Sequence, residues 1–566
     1  MISYKIKTIY NKGLLILGIL ATTFSCSKTL DLNPEANWAA EDFYASESDI
    51  EAALAGIYSN IAARGAFGRH LILFDLGTDE AIRNRDFGSD NPVGHNDHNP
   101  TDVDIQLLWQ TLYKGINNAN NFIKYIDASK FEDEADFNKY VGEVKFLRGF
   151  MYYHLTVWFN EVPLRLEPVL DQSSNHVAPS PLGDVYTQII ADLTFAAEHL
   201  PSAFDSDYKA AHANKGAAHA MLAKTYLKAA GYPLRATEIN GKNPYQAVKE
   251  HCQAVMDLGH NLNMASYKDV FLNYIQNRYD YSESLLEVAY SNGTALGIPS
   301  GGPIGYINGL TWAGNLSKIG LPVEQRFNRP TPLHDFIYEE GDTRKSWNVP
   351  NYNVLRNAKY PNGTIKIVPN VLAGPSASGK FRRWDAVYPD DIPLSNEQLQ
   401  PWITLETPQP VHQSVTGLNF PLIRFSDVLL MYAEAENELN GPTSVAQDAI
   451  NMVRNRAGLD NLATAKPEAI AGKEAFFNEL VDERLRELCF EGLRKTDLIR
   501  WGLYEEKLNV LYQSIINYPP YRSGNVTHNR KFSAYTNFDP SKHLSLPYPE
   551  QEVDLNNLLN QKPEWQ

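Results

Sequence analysis

Three glutamates near the C-terminal end have a spacing that suggests chemistry. Glu483, Glu487 and Glu491 recur at every fourth position, so a helix would place them in a stripe on one face. Paired carboxylates are the acid and base of glycoside hydrolases, which hold two carboxyl groups across a cleft, roughly 5 to 9.5 Å apart. Carboxylates in a stripe on one helix do not face each other across a cleft. The spacing therefore favours a structural role over hydrolysis.

Arginines accompany these glutamates in the sequence. Arg484, Arg486 and Arg494 are placed to neutralise the carboxylates beside their helix. Apolar residues of the same stretch are Leu480, Val481, Leu485 and Leu488. We therefore predict that the helix packs through one face, with the charges at the border of that face in an ion network. No catalytic residue is predicted, and a glycosidase remains the enzymatic alternative.

A second cluster with possible chemistry is a short polar loop that contains two histidines. His95, Asp97 and His98 have the spacing of a metal pair with a third ligand. Structural zinc sites usually need four ligands in a two-part pattern, which this loop lacks. The surrounding residues 79–104 are dense in Asp, Asn, Arg and His, and they form either a solvated loop or a set of hydrogen-bonding groups for hydroxyls. We predict neither a metal nor a cofactor.

Aromatic residues are the third group, and their chemistry is recognition. Sugar rings are held by flat apolar surfaces, which Trp and Tyr supply, and by side chains that bind paired hydroxyls, which Asn, Asp and Arg supply. The chain contains 31 Tyr, 24 Phe and 9 Trp, so some of these rings are available for contact with a ligand. Each one could instead be a core residue. The predicted ligand-binding residues are Asn84, Asp86, Phe87, Tyr306, Trp312, Trp347 and Trp384.

The elements that position these residues are mostly helices. Apolar residues recur with a period near 3.6, which is typical of amphipathic helices, and an Ala-rich stretch at 215–227 suits close helix packing. The helical stretches are 41–63, 105–126, 137–159, 185–200, 215–230, 245–258, 428–439, 444–457 and 475–493. Helix pairs joined by short turns predict a mainly α fold, a tetratricopeptide-like superhelix of helical hairpins. No strict 34-residue repeat is present.

The periodicity fails between residues 292 and 417, where Gly and Pro are frequent. Loops longer than roughly 15 residues usually carry function, so we predict a long irregular insert that presents the tryptophans. The tail, residues 518–566, is also loop-like. The predicted organisation is an N-terminal helical region at 41–290 and a C-terminal region at 291–566 that contains the insert.

The N-terminus has the pattern of an export signal. Lys5, Lys7 and Lys12 precede an uncharged apolar run over residues 13–24, and Ser25-Cys26 follows. A membrane-spanning helix needs about 20 apolar residues, and this run is shorter. Acyl chains on the new N-terminal cysteine would hold a folded body at a membrane surface. The predictions are a signal peptide at 1–25, lipidation at Cys26 and a tether at 26–40.

Charge and cysteine content exclude two classes of protein. The formal net charge is −16 and becomes more negative when the signal lysines are removed, so the surface would repel phosphate backbones. Nucleic acid is not a predicted partner. With only three cysteines, a disulfide framework is excluded. Cys489 lies among leucines at helical spacing, which favours a small buried apolar residue.

Several strings together resemble the SusD/RagB family of outer-membrane nutrient-binding lipoproteins. The resemblance extends over most of the chain, from residues 30–34 after the cysteine to residues 560–563 near the end. The most specific strings are LYKGINNAN at 112–120, VKFLRGFMYY at 144–153, PLIRFSDVLLMYAEA at 421–435, ERLRELCFEGLR at 483–494 and DLIRWG at 497–502.

This resemblance implies a tetratricopeptide-like α-helical protein, lipid-anchored on the outer face of the outer membrane, that binds nutrient without cutting it. Members of the family sit on TonB-dependent (SusC-like) transporters and pass oligosaccharides, sometimes peptides, into the barrel. Their ligand contacts lie on variable loops, so no binding residue is carried over. We therefore expect a cell-surface glycan-binding lipoprotein that delivers its ligand to such a transporter. The alternatives are a peptide-binding member, a lipid-anchored glycosidase and a helical-repeat scaffold that binds only proteins.

Overall fold

A computed structural model describes most of the chain. The described residues are 44, 46–83, 91–171, 173–291, 294–295, 298–299, 301–310, 324, 327–350, 352–356, 365–369, 377–386, 402–405, 416–517 and 533–566. The predicted signal peptide, the predicted lipidation site Cys26 and the whole of the predicted tether, residues 26–40, lie outside them. Within these ranges no helix combines the length and the apolar character needed to cross a membrane.

Helices dominate the described residues. In chain order they are α1 (Glu47–Ala62), α2 (His70–Phe74), α3 (Val103–Tyr125), α4 (Glu134–Phe159), α5 (Leu182–His199), α6 (Lys215–Ala230), α7 (Pro244–Asp257), α8 (Tyr267–Ile275), α9 (Ile304–Ile307), α10 (Arg344–Asn348), α11 (Phe425–Asn440), α12 (Ser444–Arg456), α13 (Leu462–Ala465), α14 (Lys473–Leu488), α15 (Arg494–Trp501), α16 (Tyr504–Asn517), α17 (Ser533–Thr536) and α18 (Glu550–Leu555). Short 3-10 helices cover Val93–His95, Ala128–Lys130, Ser173–Asn175, Pro332–Asp335, Pro467–Ile470 and Pro563–Trp565.

The strands are short and pair two by two. They are β1 (Ala81–Arg83), β2 (Val162–Pro163), β3 (Pro179–Ser180), β4 (Ser284–Val288), β5 (Thr294–Ala295), β6 (Ile298–Pro299), β7 (Asn328–Pro330), β8 (Tyr352–Arg356), β9 (Ile365–Pro369), β10 (Trp384–Ala386), β11 (Trp402–Thr404) and β12 (Phe420–Arg424). The antiparallel pairs are β1 with β7, β2 with β3, β4 with β12, β5 with β6, β8 with β9 and β10 with β11.

Polar side chains at the N-cap positions, directly before the first helical residue, explain where several of the main helices begin. The Ser46 side chain accepts from the backbone N–H of Asp49, whose carboxylate accepts in return from the Ser46 backbone, which is a capping box. The Asn214 side chain caps α6 by accepting from the Ala217 N–H, and the Asn243 side chain caps α7 by accepting from the Gln246 N–H. Such caps satisfy N–H groups that have no partner inside the helix. The predicted helix at 215–230 is confirmed with these bounds.

The helices stack in sequence, which confirms the predicted mainly α, tetratricopeptide-like architecture. Along the chain α3 packs on α4, α4 on α5, α5 on α6 and α6 on α7, and α1 packs on α3. Next in space comes α11, which contacts α7, α12 and α14. The chain thus leaves the stack after Asp257 and returns at Phe425. The connections are longer than the short turns predicted, because residues 160–181 between α4 and α5 include the β2–β3 pair.

The described parts of the predicted insert contain local structure that the sequence did not indicate. Residues 352–356 pair with 365–369, and residues 384–386 pair with 402–404. β7 instead pairs with β1, far away in sequence. The described segments of the insert therefore hold short helices, such as α9 and α10, and small antiparallel pairs in place of the long amphipathic helices of the flanking regions.

The predicted helix at 475–493 is wrong at its end. α14 stops at Leu488 and α15 begins at Arg494. Between them Phe490 has a φ of 65° and Gly492 a φ of 76°, and a right-handed helix requires negative φ. Glu491 consequently lies in the turn and not on the helix with Glu483 and Glu487. The helices α8 and α16 were not predicted.

Candidate ligand-binding site

The early polar loop and the insert, which carry the predicted binding residues, meet at one strand pair. β1 ends at Arg83, immediately before Asn84, and Arg83 lies opposite Asn328 of β7. The backbone N–H of Thr331 also donates to the Glu80 carbonyl at 3.0 Å. Since β1 and β7 are about 250 residues apart along the chain, only the tertiary fold brings these two segments together.

Three side chains form a cluster at this junction, which we call the Arg83–Phe327–Tyr306 cluster. The Arg83 guanidinium carbon lies 3.8 Å from the centroid of the Phe327 ring, an attractive cation–π contact. The Tyr306 ring meets the Phe327 ring edge-on, with centroids 6.2 Å apart. Arg83 is buried, while Tyr306 is half-buried. Tyr306 is therefore the predicted binding residue that the structure places beside the stem of the early loop.

Backbone contacts hold Tyr306 in this position. Tyr306 lies on α9, whose Ile307 carbonyl accepts from the Phe327 backbone N–H at 2.9 Å. Nearby, the buried Glu324 carboxylate accepts from the N–H of Leu310 and from the N–H of Arg383, both at 2.5 Å. Burial raises the pKa of Glu324 to about 8. These bonds connect Leu310, Glu324 and Arg383 to one another.

Residues of the α14–α15 region hold the early polar loop through side-chain and backbone hydrogen bonds. The Arg494 guanidinium donates to both carboxylate oxygens of Asp79, at 2.8 and 2.6 Å. The Phe490 N–H donates to Glu80 at 2.8 Å. On the other side of the loop, the Lys495 ammonium donates to the Val93 carbonyl at 2.9 Å. Both stems of the loop are therefore attached to one turn and one helix of the C-terminal region.

The predicted binding residues are not all available for contact. Asn84, Asp86, Phe87 and Trp312 lie outside the described residues and stay predictions. Two other positions need correction, because Trp347 is 3% exposed and Trp384 is 0% exposed. The Trp347 ring is covered by the Arg382 guanidinium, 3.9 Å from the ring centroid. Neither indole presents an open face, so both are packing residues in this structure.

The sequence reading also missed aromatic and cationic residues at the junction. Phe327 and Arg83 were not candidates, although Arg83 directly precedes the polar loop. Phe336 is 68% exposed and follows the 3-10 helix Pro332–Asp335. A phenylalanine next to a Pro-rich run was the available signal, and only the structure shows its exposure.

The three glutamates of the stripe take part in a buried ion network, and an ion network was the predicted kind of interaction. Arg344 contacts Glu483 at 2.6 Å and Glu487 at 3.3 Å, and Arg424 contacts Glu487 at 3.1 Å and Glu491 at 2.8 Å. Burial raises the pKa of Glu487, but the guanidinium groups of Arg456 and Arg424 outweigh it and lower the pKa to about 2. A carboxylate held in this way neither donates nor takes a proton near neutral pH.

The predicted partners and the predicted location of this network need correction. Among the three arginines, only Arg486 contacts a stripe glutamate, Glu483, at 2.9 Å. Arg484 instead pairs with Asp427 and Asp497, and Arg494 pairs with Asp79. The glutamates are also buried and do not border the packed face. The reason is that arginines from distant segments, not helix neighbours, surround them.

The histidine loop and Cys489 take part in packing. His95 Nδ1 lies 2.7 Å from the Ser533 hydroxyl, and the His98 ring lies 5.2 Å from the Trp565 ring. In the part of the chain that the structure describes, no three His, Cys, Asp or Glu residues are grouped for a metal ion. Cys489 is buried, as predicted, and burial raises the pKa of its thiol to about 12.

Comparison with known proteins identifies two family models in the chain. The model described as the SusD family matches residues 398–565. A second, described as starch-binding associating with outer membrane, matches residues 28–227. Together they cover more than half of the chain, including both the stacked helices and the α14–α15 turn.

Relatives match over most of their length. SusD-like protein P25 of Formosa agariphila is 26% identical, with 96% of each chain covered. The starch-binding protein SusD of Bacteroides thetaiotaomicron is 21% identical over 67% of each chain. A crystal structure of a SusD homologue from Bacteroides thetaiotaomicron superposes with a TM-score of 0.77 at 24% identity, covering 93% of this chain and 98% of that one.

A laminarin-binding SusD-like protein superposes with a TM-score of 0.67 at 24% identity, covering 92% of this chain and 99% of that one. At this identity the structural likeness shows the fold. The two family models, the full-length relatives and the shared fold agree. The chain belongs to the SusD/RagB family.

Proposed function

We propose that this protein captures a glycan at the cell surface and does not cleave it. The observation that carries the proposal is the Arg83–Phe327–Tyr306 cluster at the β1–β7 pair, in which the Tyr306 ring packs on Phe327 and Phe327 packs on Arg83, the residue directly before Asn84. Support also comes from relatives whose names state starch or laminarin binding. The two kinds of group that sugars need, an aromatic ring and a polar loop, are therefore neighbours.

Tyr306 would stack on the C–H face of a sugar ring, and the polar loop would bind the hydroxyls. Asn84, Asp86, Phe87 and Trp312 are the proposed further contacts. Affinities from millimolar to micromolar, about −4 to −8 kcal/mol, need only a few such contacts.

The position in the cell and the partner are part of the same proposal. A lipid on Cys26 would hold the protein on the outer face of the outer membrane, with 26–40 as a tether, and the helical regions 41–290 and 291–566 would form the body. The glycan would then pass to a TonB-dependent transporter. The outer-membrane description of the family model at 28–227 supports the membrane, and the resemblance to the family supports the transporter.

Calorimetry with purified protein tests the glycan site. Starch and laminarin oligosaccharides should bind wild type, and Tyr306→Ala and Trp312→Ala should each weaken the binding by about 2 kcal/mol, roughly 30-fold, as expected for an aromatic contact in a binding site. Phe204→Ala is the matched control, since Phe204 is an exposed aromatic residue between α5 and α6. Its affinity should equal that of wild type.

Three outcomes would contradict the proposal. Equal affinities for wild type, Tyr306→Ala and Trp312→Ala would show that the glycan does not bind at the proposed site. Shortened oligosaccharides after incubation would make the protein a glycosidase. Calorimetric heat on adding peptides, with no heat for any member of a panel of glycans, would show that the ligand is a peptide.

A further inference from the structure

A cleft of about 390 Å³ lies beside α1, between that helix, residues 210–212 and β4. Its polar lining includes Glu51, Tyr58, His212 and Glu287. No residue of the Arg83–Phe327–Tyr306 cluster lines it. Ligand cavities in proteins usually have volumes of about 300 to 1,000 Å³. The cleft is therefore large enough for a small ligand and is distinct from the cluster.

The carboxylates at one side of the cleft already have partners. Glu51 Oε1 accepts from the Lys209 ammonium and from the Tyr140 hydroxyl, both at 2.6 Å. Glu143, just behind the lining, lies 2.7 Å from His212 Nδ1 and accepts from the Tyr58 hydroxyl. These contacts hold Tyr58 and His212 in place, with their ring centroids 5.4 Å apart. The two carboxylates on this side therefore already have hydrogen-bond partners within the protein.

Glu287 on the opposite wall differs. It is 5% exposed, and its two oxygens accept from the Ser284 hydroxyl and from the Asn419 amide, each at 2.6 Å. Among the described residues no cation lies within ion-pair distance of it, and burial raises its pKa to about 7. Each carboxylate oxygen can accept a second hydrogen bond. Glu287 thus offers hydrogen-bonding capacity to a ligand in the cleft.

The lining also selects the class of ligand. Anions are disfavoured by three nearby carboxyl groups, and a cation is not required, because Glu51 and Glu143 already have hydrogen-bond partners within the protein and Glu287 keeps its proton part of the time near neutral pH. The remaining wall is apolar, formed by Ala55, Ile61, Leu286, Val288 and Leu422. An apolar wall, two aromatic rings and acceptors fit a neutral ring with hydroxyl groups.

We infer that this cleft is a second carbohydrate site, which takes one or two units of a neutral saccharide. This inference rests on the proposed function only for the choice of carbohydrate as ligand. None of the residues that line the cleft belongs to the proposed glycan site. A hydroxyl of the sugar donates to ionised Glu287 or accepts from its protonated form. The sugar's C–H groups contact the apolar wall.

Saturation-transfer NMR with small probes tests the site. The probes are glucose, N-acetylglucosamine, maltose and laminaribiose, with glucosamine as the cation and glucuronate as the anion. Ala55→Trp and Ser59→Trp fill the cleft from exposed positions on α1, and Ala52→Trp is the control, because Ala52 is exposed on the same helix but does not line the cleft. Thermal unfolding confirms that each variant is folded.

We expect at least one neutral sugar to bind wild type and Ala52→Trp within about twofold of each other, and to bind both filling variants at least about tenfold more weakly. Trp312→Ala should bind these probes like wild type. Binding that both filling variants retain, binding of glucosamine or glucuronate alone, or no binding of any probe would overturn the inference. Failure of the proposed glycan site would give a different result. In that case the affinity for oligosaccharides would be the same in wild type and in Tyr306→Ala.

Discussion

The pKa values of two buried glutamates shift in opposite directions, because only one of them has cationic neighbours. Glu487 contacts Arg344, Arg424 and Arg456, and its pKa falls to about 2. Glu287 has only neutral donors, and its pKa rises to about 7. Desolvation disfavours the charged form in both cases. The cations therefore decide the protonation state at each position.

Removing the charge of Glu487 should destabilise the fold strongly. In Glu487→Gln the three buried guanidinium groups lose a shared partner, and breaking a buried ion pair in this way costs about 3 to 5 kcal/mol. Urea unfolding at neutral pH measures the free energy of unfolding. Glu474→Gln is the control, since Glu474 is exposed on the same helix, and it should change stability by less than about 0.5 kcal/mol. Equal effects of the two variants would disprove the structural role of the network.

Glu287 gives a prediction about pH. Its pKa in the folded state is about 7, above the ordinary 4.5, so the folded state holds a proton that the unfolded state has released. Stability from this group is present below about pH 4.5 and is lost as the pH rises through 7, in total on the order of 3 kcal/mol. The Glu287→Gln variant has no carboxyl group at this position, so its free energy of unfolding does not fall with pH in this way.

The stability of Glu287→Gln relative to wild type should therefore increase between pH 5 and pH 8. Urea unfolding of both proteins at each pH unit measures the difference. Asp280, which also raises the pKa of Glu287, stays present in both proteins. A difference that does not change with pH would show that Glu287 is already ionised at pH 5.

At the scale of elements, the turn between α14 and α15 connects the C-terminal helices to the stem of the early loop at the proposed glycan site. Its Phe490 N–H contacts Glu80, and Arg494, the first residue of α15, binds Asp79. The turn needs two successive departures from helical geometry, at Phe490 and Gly492. Glycine reaches a positive φ without a steric cost from Cβ. The direction of α15, and with it the stem of the early loop, depends on this turn.

Gly492→Ala should destabilise the protein by about 1 to 2 kcal/mol, because alanine is strained at a φ of 76°. Gly472→Ala is the matched control. Gly472 is extended, with a φ of 179°, and a Cβ there meets no atom within 4 Å. Thermal unfolding should show a lower midpoint only for Gly492→Ala. If both variants unfold at the wild-type temperature, the turn tolerates a side chain and the argument fails.

At the scale of the whole molecule, the insert is bound to the helical stack by buried charge. Arg344 and Lys380 belong to the insert, and they pair with Glu483 and Glu491 of the C-terminal region. The β1–β7 pair adds a backbone connection to the N-terminal region. The insert is thereby fixed to both halves of the stack, as a rigid binding surface requires.

The attachment of the molecule to the membrane is a prediction at this scale as well. Cys26→Ser should remove the lipid acceptor, so the protein should shift from the outer-membrane fraction to the soluble fraction and lose labelling by radioactive palmitate. Ser27→Ala is the control and should stay with the membrane. Wild-type protein that is processed normally in the presence of globomycin, or that fractionates with the cytosol, would contradict lipidation.

The sequence by itself determined the local structure, because helices arise from contacts between neighbours in the chain. The period of 3.6 predicted α3 to α7, α11 and α12 to within a few residues, and the family strings identified the family. The same locality explains the error at residues 489–493, where a periodic apolar pattern continues through a turn set by two backbone angles.

The tertiary structure alone decided which distant residues meet. The pairing of residues 81–83 with 328–330, the arginines around Glu487, the burial of Trp347 and Trp384 and the cleft beside α1 all join segments far apart in sequence. Helical periodicity carries no information about such contacts, since burial and ion pairing depend on what the fold places around each side chain.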